Sequence, residues 1–131
     1  MIAKHAAGYD AIILAISFDT ALIAIAELLP TPVIGITHAA CEAARMGDRA
    51  VGVVSFGAVS LPLYKRVIEG YGFRPLAYEV VEIESTTDYL SPMAKDRAVL
   101  KSIGDLADAG AEAVVICGSA IVGMAERLAP Q

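Results

Sequence analysis

Apolar and polar positions along this chain separate into blocks. Five short apolar runs, at residues 11–16, 33–36, 50–54, 76–81 and 113–117, read as strands. Runs of this length without strict alternation fit strands covered on both faces, as in parallel sheets. Helical segments lie between them. Asp19 or Thr20 is placed to cap a helix running to Leu29, which Pro30-Thr31-Pro32 stops. Thr37 is placed to cap a second helix through His38, Cys41, Glu42 and Arg45, ending at Gly47. Ser60-Leu61-Pro62 opens a third, with proline in the first turn where its missing N–H is harmless. It carries Tyr64, Lys65, Val67, Ile68 and Tyr71 and closes at Gly72. Pro92 opens the longest, to Ala109 before Gly110. Strand and helix alternating over short loops predict an α/β fold, a mainly parallel sheet flanked by helices on both faces.

One block occurs twice. Gly8-Tyr9-Asp10-Ala11-Ile12-Ile13-Leu14-Ala15-Ile16-Ser17 returns as Gly110-Ala111-Glu112-Ala113-Val114-Val115-Ile116-Cys117-Gly118-Ser119. Ala26-Glu27-Leu28-Leu29-Pro30 is echoed by Ala125-Glu126-Arg127-Leu128-Ala129-Pro130. Two copies are too few for a solenoid. They read as two related βα units, each with a polar tip at the carboxyl end of a strand, where ligands gather in open α/β sheets. Two such tips facing each other make a small-molecule site between two lobes.

At 131 residues the chain fits one domain. A composition 56% apolar, with mean hydropathy +0.61, agrees with buried parallel strands. A net charge of −5 and no Lys/Arg cluster argue against nucleic acid, which needs a basic surface. Ser17, Asp19, Thr20 and Glu27 interrupt the apolar stretch 11–29 and argue against a membrane span. Cys41 and Cys117 form no CxxC or zinc pattern, which suggests a reducing compartment, the cytoplasm. No metal-ligand set, Walker loop, GxGxxG or Ser-His-Asp word is present, and no cofactor is expected. The polar stretch 82–91 holds Glu82, Glu84, Ser85, Thr86, Thr87, Asp88 and Tyr89. It reads either as a solvated loop or as a lid.

At the strand tips the chain resembles the Asp/Glu/hydantoin racemase superfamily, in its hydantoin-racemase-like branch. The similar words are Gly8-x-Asp10-Ala11-Ile12-Ile13 with Asp19 and Leu22, then Pro32-Val33-Ile34-Gly35-Ile36 running into an Ala-rich helix. They continue as Gly52-Val53-Val54-Ser55, then Gly110-Ala111-Glu112-Ala113-Val114-Val115-Ile116 and Gly123-Met124-Ala125-Glu126-Arg127-Leu128. The resemblance covers nearly the whole chain and implies two pseudo-symmetric α/β lobes with the active site in the cleft between them. It also implies further elements at both ends, so that this chain holds one near-complete lobe and pieces of the other. Residues 1–31 are then expected to belong to the second lobe or to be exchanged with a partner, in a homodimer or larger assembly.

The resemblance implies a cofactor-independent isomerase acting at an acidic C–H of a small carboxylate, amino acid or hydantoin. Family racemases use one cysteine from each lobe, on opposite faces of a planar carbanion. In ungapped register those cysteines fall at Ile16 and Gly118, neither of which can hold a proton. A catalytically silent module that binds small anions or serves assembly is therefore the rival expectation. Ser17 and Ser119, one residue later, are candidates to hold substrate oxygens or to cap helices. Cys117, one residue earlier, is a candidate acid/base thiol or a small buried hydrophobe. Asp19 reads as a cap or a general base, and the resemblance places an acid there beside the catalytic cysteine. Ser55, Gly118, Thr20 and His38 complete the candidate substrate-binding set. His38 sits at a helix start where the dipole favours neutral imidazole.

Overall fold

The computed structural model describes residues 5–85, 87 and 91–129. Its strands are β1 (Ile12–Leu14), β2 (Val33–Gly35), β3 (Val51–Phe56), β4 (Ala77–Val81) and β5 (Ala113–Ile116). Its helices are α1 (Leu22–Leu28), α2 (Ile36–Arg45), α3 (Leu61–Gly70), α4 (Asp96–Asp108) and α5 (Met124–Leu128). Every strand pairing is parallel, as continuous apolar runs predict.

The strands divide into two sheets where one was expected. One is β4-β3-β5 with β3 at its centre, and the other is the pair β1-β2. β3 separates two cores. Val53 and Val115 pack with Cys41 of α2 and with Tyr64 and Ile68 of α3. On the opposite face Val54 and Phe56 pack with Val99 and Leu106 of α4 and with Met124 of α5. Val53, Val54, Ile68 and Val99 are fully buried, and each such side chain contributes about 1.5–3 kcal/mol. Helices thus cover both faces of the larger sheet.

β1-β2 is covered less completely. Ile13 and Ile34 are register partners, yet Ile13 is 68% exposed and Ile34 41%. In α1 no residue is fully buried, and Ile23 and Leu28 stand in solvent. No helix among the described residues is long and apolar enough to cross a membrane.

Two caps differ from expectation. α1 begins after Ala21 in left-handed conformation with no side-chain cap, so neither Asp19 nor Thr20 caps it. Thr37 lies inside α2 rather than at its start, and Asp19 from another segment supplies the cap. Pro62 does sit in the first turn of α3. Pro92 opens a 3₁₀ turn (Pro92–Lys95) that leads into α4. Thr86, Asp88 and Tyr89 of the polar loop, and Pro130 of the repeat, lie outside the described residues.

Candidate active site

The order β4-β3-β5 decides where a site can form. The chain leaves the carboxyl end of β3 into α3 on one face, and leaves β5 into α5 on the other. Neighbouring strands whose exits diverge leave a crevice between their tips. A cleft of about 380 Å³ occupies that position. Phe56 and Gly57 at the end of β3, Cys117 and Gly118 just past β5, and Ile83, Glu84 and Ser85 of the loop after β4 line it. Tyr64 of α3 lines it too, and Ser17 and Phe18 enter from the turn after β1.

The two copies of the repeat meet at this place. Each has a strand, a 3₁₀ turn (Ser17–Asp19 and Ser119–Ile121), a left-handed residue (Ala21 and Gly123) and a short helix. Ser17 Oγ lies 3.3 Å from Ser119 Oγ, and the Ser119 N–H donates to Ser17 Oγ at 3.3 Å. Both distances are long for such bonds, so a ligand oxygen that offers better geometry can displace the contact.

Strain positions Ser17. Phe18, Asp19 and Ala21 all have positive φ, at 62°, 47° and 64°, a region costing about 1–2 kcal/mol per residue with a side chain. The Phe18 ring packs on Tyr64 with centroids 4.3 Å apart. The buried Asp19 carboxylate accepts from the Thr37 N–H (2.8 Å), the His38 N–H (2.9 Å) and the Tyr71 hydroxyl (3.0 Å). Its negative charge caps the N-terminus of α2, where the helix dipole favours an anion. Gly35 makes the approach possible, because a Cβ there would fall on the Asp19 carboxylate. Thr20 Oγ1 donates to the Ser17 carbonyl at 3.0 Å and closes the turn.

The candidate residues therefore divide. Ser17, Cys117 and Gly118 line the cleft, and Ser119 is not among its lining residues but contacts Ser17, which is. Asp19 and Thr20 hold the turn and do not line the cleft. His38 is away from it, packed on the rings of Tyr71 (4.6 Å) and Phe73 (5.8 Å), with Glu42 3.7 Å from Nε2. Ser55 lies beneath: Val53 pairs with Val115, and two residues further along the same face Ser55 comes beside Cys117. The Ser55 hydroxyl is fully buried with no hydrogen-bond partner among the described residues, a rare and costly state.

At the two positions where the resemblance implies thiols, the structure offers little room for that role. Gly118 has φ 136°, which a residue with a Cβ rarely adopts, and Ile16 points largely to solvent at 43% exposure. Cys117 is 5% exposed. Burial first, then the nearby Cys41 and Asp19, push its thiol up to about 12. Cys41 is pushed up to about 11, again chiefly by burial. Among the described residues no group of three His, Cys, Asp or Glu is placed to hold a metal ion. Phe18, Phe56 and Tyr64 were not foreseen as cleft residues, and Glu84 falls in the stretch read as a solvated loop or a lid. The signal was positional: Phe56 ends β3 and Glu84 follows β4, at the carboxyl edge of the sheet whose strand β5 leads to Ser119.

The chain resembles known proteins in sequence and in fold. The Asp/Glu/Hydantoin racemase family model matches residues 1–131. A hydantoin racemase from Rhizobium meliloti is 32% identical over 128 residues, 95% of this chain and 53% of the relative. Among solved structures, allantoin racemase from Klebsiella pneumoniae superposes with a TM-score of 0.81 at 26% identity, over 96% of this chain and 53% of that one. The chain spans about half the length of each.

Proposed function

Because this chain belongs to the Asp/Glu/hydantoin racemase family, we propose that it is a cofactor-independent racemase acting at the acidic C–H of a small cyclic imide of the hydantoin type. The carrying observation is the 3.3 Å contact between Ser17 and Ser119, repeat-related tips meeting at the cleft. Within the wider class of carboxylates, amino acids and hydantoins, the lining favours a neutral ring. Among the described residues no Lys, Arg or His lines the cleft to neutralise a carboxylate, and Glu84 would repel one. Phe18, Phe56 and Ile83 offer apolar walls to a ring substituent.

In this reading the hydroxyls of Ser17 and Ser119, with the Ser119 N–H, hold an imide oxygen and stabilise the charge that grows there as the C–H is broken. Ser55, without a partner among the described residues, offers its buried hydroxyl to a bound water. Gly118 lets the backbone approach the ring. We assign residues 1–31 to the second lobe, supported by β1, which pairs with β2 and not with the β4-β3-β5 sheet. Its exposed Ile13 and Ile34 support a homodimer in which that sheet is covered. Two free, buried cysteines support a cytoplasmic setting.

The test is exchange of the ring C–H for deuterium in D₂O, followed by proton NMR over substituted hydantoins, amino acids and small dicarboxylates. Hydantoins are expected to exchange faster than in buffer, and Ser119→Val to abolish their binding with the melting temperature nearly unchanged. Binding of any of these ligands with no accelerated exchange would instead identify a silent binding module.

A further inference from the structure

We propose that the Glu84 carboxylate is the general base that removes the substrate proton, in the place that a thiolate holds in the family's two-cysteine sites. This rests on the racemase reading above and goes beyond it by naming the base.

The cleft runs across three strand tips, with β4 and β5 on opposite sides of β3. On the β5 side stand Ser17, Cys117 and Gly118, and on the β4 side stands Glu84. A ring held through its oxygen by Ser17 and Ser119 shares the cleft with Glu84. Proton transfer needs a base within reach of the ring C–H, and the alternatives are poorly placed or poorly suited. Ser17 and Ser119 are hydroxyls, far weaker bases than a carboxylate or thiolate. Asp19 is absent from the lining and already accepts three hydrogen bonds. With its thiol pushed up to about 12 by burial, Cys117 stays protonated at neutral pH. Tyr64 is 3% exposed and carries a phenol, a hydrogen-bond donor at neutral pH. Glu84 is the one carboxylate that lines the cleft among the described residues, and it is exposed, so it can exchange a proton with water.

In the step, the ring C–H bond breaks and its proton passes to a Glu84 carboxylate oxygen. The electron pair moves into the adjacent ring carbonyl, giving an enolate whose oxygen faces the serine donors. Water returns a proton to the opposite face of the carbon. The hydroxide so formed takes the proton from Glu84, and the carboxylate is restored with no net change but inversion.

The experiment uses the full chain with 5-benzylhydantoin in D₂O, measuring C–H exchange by NMR and racemisation by circular dichroism. Glu84→Gln is expected to lower kcat about 100-fold or more with KM and melting temperature little changed. Glu84→Asp, which keeps the carboxylate one methylene shorter, is expected to recover part of that loss and guards against a folding artefact. Unchanged exchange in Glu84→Gln beside an active wild type would overturn the assignment and leave the racemase reading standing. Exchange lost in Cys117→Ala and climbing in the wild type toward pH 12 would give the role to the thiol. A wild type that accelerates no exchange at all would remove the racemase reading, and the base with it.

Discussion

At the scale of single residues, burial governs the chemistry of this site more than residue type does. Cys117 carries the side chain a racemase would use, but it belongs to the core around Val53 and Ile68. The sign of the resulting pH dependence follows from the protonated form being favoured on folding. Cys117 and Cys41 have folded values near 12 and 11 against 9.0 for a free thiol, so their stabilising effect is complete below pH 9. It is lost as pH rises from there through the folded values. Tyr71, pushed up to about 12 by burial and by its bond to Asp19, loses its contribution over the upper part of the same range. We therefore expect a melting temperature independent of these groups from pH 7 to 9 and falling between pH 9 and 12, measured by circular dichroism. Maleimide labelling of native protein at pH 7 should be slow at both cysteines and fast after unfolding in urea.

At the scale of elements, the turn after β1 and the start of α2 form one unit joined by a single carboxylate. Asp19 caps α2, fixes Tyr71 and holds its own strained turn, which in turn aims Ser17 at Ser119. Asp19→Ala removes a helix cap and leaves the Tyr71 hydroxyl without its acceptor. The expected cost is about 2–3 kcal/mol, read from urea unfolding. Asp19→Asn keeps an oxygen for the N–H groups and should cost less. Because the turn relaxes, both variants should also weaken hydantoin binding. A variant that lost stability but bound normally would mean that Ser17 is held by Phe18 on Tyr64 instead.

At the scale of the molecule, the two sheets differ in how well they are covered. The larger sheet has a core on each face, while β1-β2 and α1 present Ile13, Ile34, Ile23 and Leu28 to solvent. An apolar surface of this kind in a soluble protein is generally covered by a partner. We expect light scattering at micromolar concentration to give a dimer or larger assembly, and the paired substitution Ile13→Lys with Ile34→Lys to shift it to monomer with the larger sheet intact. A stable wild-type monomer would defeat the assembly proposal.

What the sequence determined by itself is what local pattern can carry. Apolar runs located all five strands to within one or two residues, and Pro62 and Pro92 marked where helical structure begins. The repeat foretold that Ser17 and Ser119 would occupy equivalent tips, because similar segments fold into similar strand, turn and helix. Periodicity reports which side chains avoid water, but it does not say which segment covers them. The division into two sheets, the capping of α2 by an aspartate eighteen residues earlier and the arrival of Glu84 in the same cleft as Ser17 are all long-range events. Only the tertiary structure decided them. Each depends on segments distant in the chain being packed against β3, and the free energy of that packing is written in no single stretch of sequence.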